Sequence, residues 1–203
     1  MPVSAPAHVR AALTAARAEG PGGLDRLVEL LYPELRRIAR AQLRRLRPGQ
    51  TIDTTSLVHE AYVKMLGSAE FADRNHFLAA SARAMRHILV NVARRKLAAK
   101  HGSGRDPETL DGDEVAEARA QFVEILAVGQ AIERLRELDE RLCRVVECRF
   151  YAGMTEEETA GALEVSDRTV RRDWLRARAW LRRELGQVAA PEGAPRVTPE
   201  GAP

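Results

Sequence analysis

An arginine-rich stretch near the C-terminal end of the chain carries side chains suited to recognising nucleic acid. Residues 167–184 contain seven arginines against three carboxylates, Asp167, Asp173 and Glu184. Guanidinium groups donate paired hydrogen bonds to guanine edges and to phosphate oxygens. The residue types therefore favour DNA recognition, with an ordinary solvated surface helix as the simpler alternative.

Two short helices joined by a tight turn would position these arginines. Thr155 and Glu158 have the spacing of a capping box, which predicts a helix from Glu156 to about Leu163. After a turn, Ser166 can cap a second helix. The apolar positions of that helix recur at steps of three and four: Val170, Trp174, Ala177, Leu181 and Leu185. This pattern is typical of a helix-turn-helix, whose second helix enters the major groove of DNA.

Four further positions favour a DNA-binding motif over a surface helix. Small Ala160 stands where two crossing helices must approach, and apolar Val165 lies inside the predicted turn. Thr169 and Arg171 occupy positions that reach base edges in such motifs. The motif alone does not give the biological role, because repressors, activators and initiation factors all use it.

The composition of the chain favours a helical protein without catalytic chemistry. Apolar residues make up 45% of the sequence and aromatic residues only 4%, and Leu, Ala, Arg and Glu dominate. The net charge of +3 is too small to indicate a nucleic-acid partner by itself. The sequence has no phosphate-binding loop, no metal-ligand spacing and no nucleophile beside a base. We therefore expect no enzyme activity, no catalytic residue, no cofactor and no metal.

The cysteines and the hydropathy pattern predict a cytoplasmic protein. Cys143 and Cys148 lie five residues apart in a helical pattern and are expected to be reduced thiols in the core. No apolar run approaches the roughly 20 residues needed to cross a bilayer, and the N-terminus lacks a signal-peptide core. We expect no membrane insertion.

Helical patterns fill the N-terminal part of the chain. A weak helix is predicted over residues 7–19, and a single helix is predicted after the breaker at 20–23. The apolar face of that second helix consists of Leu27, Leu30, Leu31, Leu35 and Ile38. A further helix is predicted over residues 56–66, where the apolar stripe is wider than a small bundle needs. This helix is therefore central to its bundle, or part of its stripe binds a partner.

A basic segment is followed by an acidic one in the middle of the chain. Between residues 74 and 105 there are eight Lys or Arg and no Asp or Glu, which predicts a helix with a polycationic face and a polyanionic partner. The sign then reverses over residues 102–119, which contain glycines and Pro107 and are predicted to be a flexible linker. Helices are predicted again over 122–138 and 140–151.

The predicted fold is all-α, with two small helical domains. Residues 1–20 form an N-terminal extension, 21–101 a first domain, 102–119 the acidic linker and 120–187 a second domain that contains the helix-turn-helix. The tail at 188–203 has too few apolar residues to fold and is predicted to be disordered.

The order of these parts resembles bacterial RNA polymerase sigma factors of the sigma-70 family, in particular the extracytoplasmic-function (ECF) type. The resemblance covers about residues 24–185. SLVHEAYVKML at 56–66 is similar to the family helix that docks on the clamp of the polymerase's largest subunit, around a D-L-V-Q-[DE] core that reads SLVHE here. The residues that the resemblance assigns to polymerase binding are Leu57, Val58, His59, Glu60, Tyr62 and Val63.

Two other stretches resemble the promoter-reading regions of these factors. FADRNHFLAASARAMRHILVNVARRKL at 71–97 is similar to the minus-ten region, in which a loop captures a flipped base and a helix opens the duplex. Alanine stands near Ala80 where the family usually has tryptophan, so stacking on a base would come from Phe71 or Phe77. The residues assigned to minus-ten recognition and melting are Phe71, Asp73, Arg74, Asn75, Phe77, Arg83, Arg86, His87 and Asn91. Residues 135–181 look like the minus-35 domain, in which Ser166, Asp167, Arg168, Thr169, Arg171, Arg172 and Arg176 approach DNA.

The resemblance implies a function and a set of partners. The partners would be promoter DNA and core RNA polymerase, through its largest-subunit clamp and its flap, with an anti-sigma factor or another regulator as a further candidate. The factor would direct transcription initiation at a specific regulon, in the cytoplasm and on the nucleoid when bound to polymerase. An alternative stays open, namely a stand-alone helix-turn-helix regulator whose N-terminal domain senses a ligand or dimerises.

Overall fold

The computed structural model describes residues 7–19, 21–44, 52–66, 71–102 and 112–189. These residues form helices and short connections, and no strand occurs among them, which confirms the predicted all-α class. The helices are α1 (Ala7–Glu19), α2 (Pro21–Leu30), α3 (Tyr32–Leu43), α4 (Thr54–Met65), α5 (Arg74–Gly102), α6 (Gly112–Leu138), α7 (Glu140–Val146), α8 (Glu156–Leu163) and α9 (Asp167–Ala189), with a π-helical turn (Glu147–Tyr151) after α7. We call residues 7–102 the N-terminal half and residues 112–189 the C-terminal half.

The single helix predicted after residue 23 is in fact two helices, α2 and α3. Leu31 separates them with φ −105° and ψ 13°, and Pro33 stands in the first turn of α3. Proline has no amide hydrogen to donate to a preceding turn, so it interrupts a continuing helix but suits the start of a new one. Leu30 at the end of α2 is exposed, whereas the other four residues of the predicted apolar face are buried.

The core of the N-terminal half lies between α2, α3, α4 and α5. Its largest fully buried side chains are Leu27, Leu31, Leu35, Ile38, Leu57, Phe77 and Met85. Burial of each such side chain contributes about 1.5 to 3 kcal/mol. Gln42 Nε2 of α3 donates to the carbonyl oxygen of Ala82 in α5 at 3.0 Å, which fixes the two helices relative to each other.

Helix α4 is central to this bundle. Asp53 caps it by accepting hydrogen bonds from the amides of Thr55 and Ser56, so the helix starts at Thr54, two residues before its predicted start. The inner side chains Leu57, Val58, Ala61 and Met65 are all buried. Most of the wide apolar stripe therefore packs within the N-terminal half. This favours the first alternative left open by the sequence, that the helix is central to its bundle.

The C-terminal half is built around α7 and the π-helical turn. Asp139 caps α7 by accepting a hydrogen bond from the amide of Leu142 at 3.1 Å. The amide of Ala152 donates a hydrogen bond to the carbonyl oxygen of Glu147 at 2.9 Å, which closes the π-helical turn after α7. Gly153 follows with φ 68°, in the left-handed region. The helix predicted over residues 140–151 thus exists, but its last turn is wider than an α-helical one.

Both cysteines lie in this core as free, buried thiols, as predicted. Burial, reinforced by the charge of Glu147, raises the pKa of Cys143 to about 11 and that of Cys148 to about 12. Both thiols are therefore protonated at neutral pH.

Part of the stretch predicted as a flexible acidic linker is helical. Residues 103–111 lie outside the described part of the chain, but residues 112–119 are already helical and belong to α6. The sequence DEVAEARA at 113–120 is rich in alanine and glutamate, which favour helices. The described part of the chain also leaves out residues 190–203 of the predicted tail and residues 1–6 of the predicted N-terminal extension.

The two halves pack on each other through α5. This helix contacts α6, the π-helical turn and α8. Gly129 marks a close approach of α6 to α5, because a Cβ atom at this position would lie 2.9 Å from Val90 Cγ2 of α5. Glycine at 129 thus lets α5 and α6 cross at short distance.

Candidate nucleic-acid interface

Helices α8 and α9 follow each other across a short turn, and each begins at the cap predicted from the sequence. Thr155 Oγ1 accepts from the amide of Glu158 at 3.1 Å, and Glu158 Oε2 accepts from the amide of Thr155 at 2.9 Å. Glu164 turns the chain with φ 54°, and Ser166 Oγ accepts from the amide of Thr169 at 3.2 Å to start α9. The angle between α8 and α9 is thus fixed by local hydrogen bonds.

Buried residues anchor α9 along its predicted apolar stripe. Val170 and Ala177 are fully buried, and Trp174, Leu181 and Leu185 are half-buried. Val170 packs with Val145 of α7 and Ala160 of α8 in a small cluster. The small side chain of Ala160 fits the helix crossing, as predicted.

The arginines of α9 form an exposed face with different partners. Arg171 has 65% of its side chain exposed, and Glu156 Oε2 of α8 accepts hydrogen bonds from its Nε at 3.1 Å and its Nη2 at 2.9 Å. Arg168, Arg172 and Arg176 are exposed, and Thr169 is half-buried. Glu156 therefore holds the guanidinium group of Arg171 without covering it.

Asp173 is fully buried beneath this arginine face. Its Oδ2 accepts from Arg141 Nε of α7 at 2.7 Å, and its Oδ1 accepts from Arg172 Nε at 3.1 Å. Arg176 Nη1 lies 3.7 Å from the same carboxylate. One carboxylate thus joins α9 to α7 and orients two arginines that face outward.

The residues assigned to minus-ten recognition do not form one open face in this structure. Phe77 is fully buried and Phe71 nearly so, and their rings meet edge to face with centroids 5.1 Å apart. Asp73 caps the start of α5 by accepting from the amide of His76 at 2.7 Å. Arg83 and Asn91 are exposed, whereas Arg86 is buried. Neither phenylalanine ring is accessible for stacking on a base in the present conformation.

The residues assigned to polymerase docking are split between the two sides of α4. Leu57 and Val58 are buried in the core of the N-terminal half. His59, Glu60 and Val63 are exposed, and Tyr62 is half-buried with its hydroxyl hydrogen-bonded to Asp25 Oδ1. The accessible part of the predicted docking surface is therefore His59, Glu60 and Val63.

Neither a metal centre nor a membrane span is found in the part of the chain that the structure describes. No group of three or more His, Cys, Asp or Glu side chains there could hold a metal ion. No helix among the described residues is long and apolar enough to cross a bilayer.

Comparison with known proteins supplies the decisive observation. The sequence model of the ECF sigma factor family matches residues 9–187, which spans both halves of the structure. The chain belongs to the ECF sigma factor family. No curated protein and no solved structure matches it. Members of this family act in transcription initiation, with core RNA polymerase and promoter DNA as partners, so this sigma factor has that role.

The sequence analysis did not foresee that three charged residues in the described part of the sigma factor are buried. Asp173 lies three residues after Val170 and four before Ala177, on the apolar stripe of α9. Arg86 lies four residues after buried Ala82, and Glu147 lies four after buried Cys143. Their helical spacing was the available signal, because a charge on an apolar stripe must find a partner inside the protein.

The charge state of His87 makes the stability of the sigma factor depend on pH. Burial, then the charges of Arg86, Lys64 and Arg83, lowers the pKa of His87 to about 4, and Glu133 opposes this shift only in part. The pKa of histidine in an unfolded chain is about 6.5, so the unfolded chain binds more protons than the folded chain between pH 6.5 and 4. Stability is therefore lost as the pH falls through this window.

We expect the urea midpoint of the wild type to fall between pH 7 and pH 4.5, and His87→Gln to remove part of this dependence. The measurement is urea unfolding followed by circular dichroism at several pH values. His59→Gln, at an exposed position of α4, is the control, and its urea midpoint should change with pH as that of the wild type does. If the urea midpoint of His87→Gln changes with pH as much as that of the wild type, His87 is not a source of the pH dependence.

Proposed function

We propose that this sigma factor directs core RNA polymerase to a specific set of promoters by dividing recognition between its two halves. The C-terminal half would read the minus-35 element through α9, and the N-terminal half would recognise and open the minus-ten element through α5 and the loop before it. The observation that carries the proposal is the exposed arginine face of α9, which follows α8 across a short turn and, like α8, is capped at its N-terminal end. Family membership supports the same division of labour.

Minus-35 recognition would use the first turns of α9, which lead into the major groove in helix-turn-helix proteins. The proposed contacts are Ser166, Asp167, Arg168, Thr169, Arg171, Arg172 and Arg176. The ion pair between Arg171 and Glu156 is largely exposed, and exposed ion pairs contribute little to stability because water screens them. A guanine edge can therefore replace Glu156 as the partner of Arg171 at little cost.

We expect Arg171→Ala to weaken binding of the preferred promoter by about 1 to 3 kcal/mol and to relax preference at one base position. Arg182, also exposed but farther along α9, is the matched control. Arg182→Ala should weaken all sequences alike, because a phosphate contact carries no sequence information. Both variants are compared in holoenzyme binding assays on a library of minus-35 sequences. An unchanged preference and affinity for Arg171→Ala would remove this residue from the base-reading set.

Minus-ten recognition would use residues 71–75, where a short segment leads into the first residues of α5, and the face of α5 that carries Arg83, Arg86, His87 and Asn91. The acid-free character of residues 74–105 supports a polyanionic partner for this face. Both rings pack in the core in the described conformation. Base capture by Phe71 would require the segment before α5 to move, and base capture by Phe77 would require the first turn of α5 itself to move.

Polymerase docking would use the outer side of α4. Val63 is an exposed apolar side chain on this side, and His59 and Glu60, one turn before it, are exposed as well. An exposed apolar side chain with polar neighbours is the arrangement of an interface anchor with its rim. The clamp of the largest subunit is the proposed partner of α4, the flap that of the C-terminal half, and an anti-sigma factor or another regulator is a further proposed partner.

Run-off transcription on genomic fragments, with purified core polymerase and this protein, tests the proposal. We expect transcripts from discrete start sites that core polymerase alone does not produce. The free protein should bind the same fragments weakly, because polymerase supplies much of the affinity. Tight operator binding by the free protein without any polymerase-dependent transcript would instead identify a stand-alone regulator.

A further inference from the structure

A small cavity lies where α3, α5, α6 and the π-helical turn meet. Its volume is about 150 Å³, and Gln42 of α3 and Arg86 of α5 form part of its lining. We call it the Gln42 cavity. Gln42 and Arg86 are each only 3% exposed, whereas Glu124 and Phe150 of the same lining are exposed, so the cavity opens beside Glu124 and Phe150 and ends at the buried pair. The wall between these two ends is apolar and consists of Leu89, Val90, Ile125 and Val128.

Both polar residues at the inner end have a side-chain atom that lacks a hydrogen-bond partner among the described residues. Gln42 Nε2 donates to the carbonyl oxygen of Ala82 at 3.0 Å, but Gln42 Oε1 accepts no hydrogen bond. Arg86 donates from Nη2 to Glu133 and Glu147, but its Nε has no acceptor. A buried donor or acceptor that stays unpaired lowers stability, so native proteins usually supply a partner. The Gln42 cavity offers the space for one.

The two unpartnered atoms belong to side chains that meet at one turn of α5. The carbonyl oxygen of Ala82, which accepts from Gln42, lies one turn before Arg86 and is the helical acceptor of the Arg86 amide. The side-chain amide of Gln42 is therefore held next to the backbone of Arg86. A hydroxyl is the smallest ligand group that serves both atoms, because its O–H donates to Gln42 Oε1 while its oxygen accepts from Arg86 Nε.

The charges at the Gln42 cavity favour a neutral ligand. Among the described residues that line it, Arg86 and Glu124 carry charge, with opposite signs. Arg86 is already paired with Glu133 and Glu147, so an anionic ligand would bring a third negative charge to one guanidinium. A cationic ligand would meet the positive charge of Arg86 at the inner end.

The size and the wall of the Gln42 cavity favour a compact ring. An apolar cavity of about 150 Å³ can hold a molecule of the size of benzene. Phe150 and Tyr151 both line the cavity from the π-helical turn, with their rings edge to face and centroids 5.1 Å apart, and aromatic side chains pack well against further rings. Single π-helical turns are also frequent at functional sites. Water could pair with the two polar atoms, but only an apolar body would cover the wall.

We propose that the Gln42 cavity is a binding site for a small neutral ring alcohol of the size of phenol. The hydroxyl pairs with Gln42 Oε1 and Arg86 Nε, and the ring packs on the apolar wall. The bound molecule contacts α3, α5, α6 and the π-helical turn together, so it stabilises the folded chain. This site goes beyond promoter recognition and polymerase docking, because Arg86 is the one residue of its lining that is also assigned to those surfaces.

The first test titrates the full-length protein, labelled at its methyl groups, with phenol and separately with benzene in nuclear magnetic resonance experiments. We expect saturable phenol binding with a Kd below about 1 mM. The methyl signals of Leu89, Ile125 and Val128 should shift, whereas that of Val170, which packs in the separate cluster with Val145 and Ala160, should not. Benzene leaves both polar atoms unpaired and should bind at least about tenfold more weakly. Absence of saturable phenol binding, or equal affinities for the two ligands, would overturn the proposal.

The second test removes the acceptor at the inner end. Gln42→Met keeps an unbranched side chain but has no carbonyl oxygen, so we expect phenol to bind at least about fivefold more weakly. The affinity for benzene should stay that of the wild type. A purely structural role of Gln42 would instead change both affinities alike, and that result, or undiminished phenol binding, would contradict the assignment.

The third test fills the cavity and decides the question if Gln42→Met fails to fold. Ile125→Phe places a ring in the space that the ligand needs, so it should abolish the binding of both phenol and benzene. The matched control is Val123→Phe, which adds the same ring on α6 at a position that is 51% exposed, and it should bind phenol as the wild type does. Circular dichroism checks that both variants are folded. Wild-type phenol binding by folded Ile125→Phe would place the ligand elsewhere and overturn the proposal.

These titrations use the free protein, without polymerase or promoter DNA, so they are independent of the proposed function. Phenol binding by a protein that gives no run-off transcript would contradict the proposed function and leave the Gln42 cavity as a ligand site. Run-off transcription by a protein that does not bind phenol would overturn the ligand site alone.

Discussion

We expect Asp173→Ala to lower the free energy of unfolding by about 2 to 3 kcal/mol, because it removes two charge-assisted hydrogen bonds from a fully buried carboxylate. The loss should stay below the cost of breaking a pair whose two members are both buried, because Arg141 and Arg172 are roughly half exposed and can turn to water. The measurement is urea unfolding followed by far-ultraviolet circular dichroism, with the midpoint shifted and the slope unchanged.

The control for this variant is Asp167→Ala, an exposed acid in the first turn of the same helix. Its interaction with the helix dipole contributes about 0.3 to 1 kcal/mol, so its effect should be clearly smaller. If the two variants shift the midpoint equally, the buried carboxylate is not what joins α9 to α7. Asp173→Ala should also weaken promoter binding at temperatures where it is folded, since Arg172 and Arg176 lose the group that orients them.

We expect Val63→Glu to leave the protein folded and to weaken association with core polymerase by about 2 kcal/mol or more, which is the usual cost of disrupting an interface anchor. Val63 is 50% exposed on the outer side of α4, so a charge there remains hydrated in the free protein. It is desolvated only when a partner covers it. Association is measured by co-elution and by fluorescence titration with purified core polymerase.

Val123→Glu is a close control, because Val123 is 51% exposed on α6, far along the chain from the docking helix. It should bind polymerase as the wild type does. Leu57→Glu should instead unfold the N-terminal half, since Leu57 is fully buried. Normal polymerase binding by Val63→Glu would exclude the outer side of α4 as the docking surface.

Local signals in the sequence were sufficient to predict most of the helices. The capping box at Thr155 and Glu158, the Ser166 cap and the stripe through Val170 and Ala177 define the helix-turn-helix without long-range information. The break between α2 and α3 was missed, although Pro33 marks it, because the apolar spacing continues across the break.

What the sequence could not give is which surfaces face each other. The inner and outer sides of α4 both carry apolar residues, so only the packed structure separates buried Leu57 and Val58 from exposed Val63. The basic character of α5 was predicted, but its contact with Glu133 and Glu147 depends on how two distant parts of the chain pack. Contacts between residues so far apart leave no periodic pattern in either segment.

The two buried thiols have a practical consequence for experiments in solution. A pKa of about 11 leaves about one Cys143 side chain in ten thousand as thiolate at pH 7, and that of Cys148 leaves fewer still. Thiolate is the form that attacks maleimides and oxidants, so a new cysteine on the surface would react far faster than either native one. Dyes can therefore be attached, one on each half, to an otherwise native chain, and energy transfer between them would report the separation of the halves in single molecules as polymerase and promoter are added.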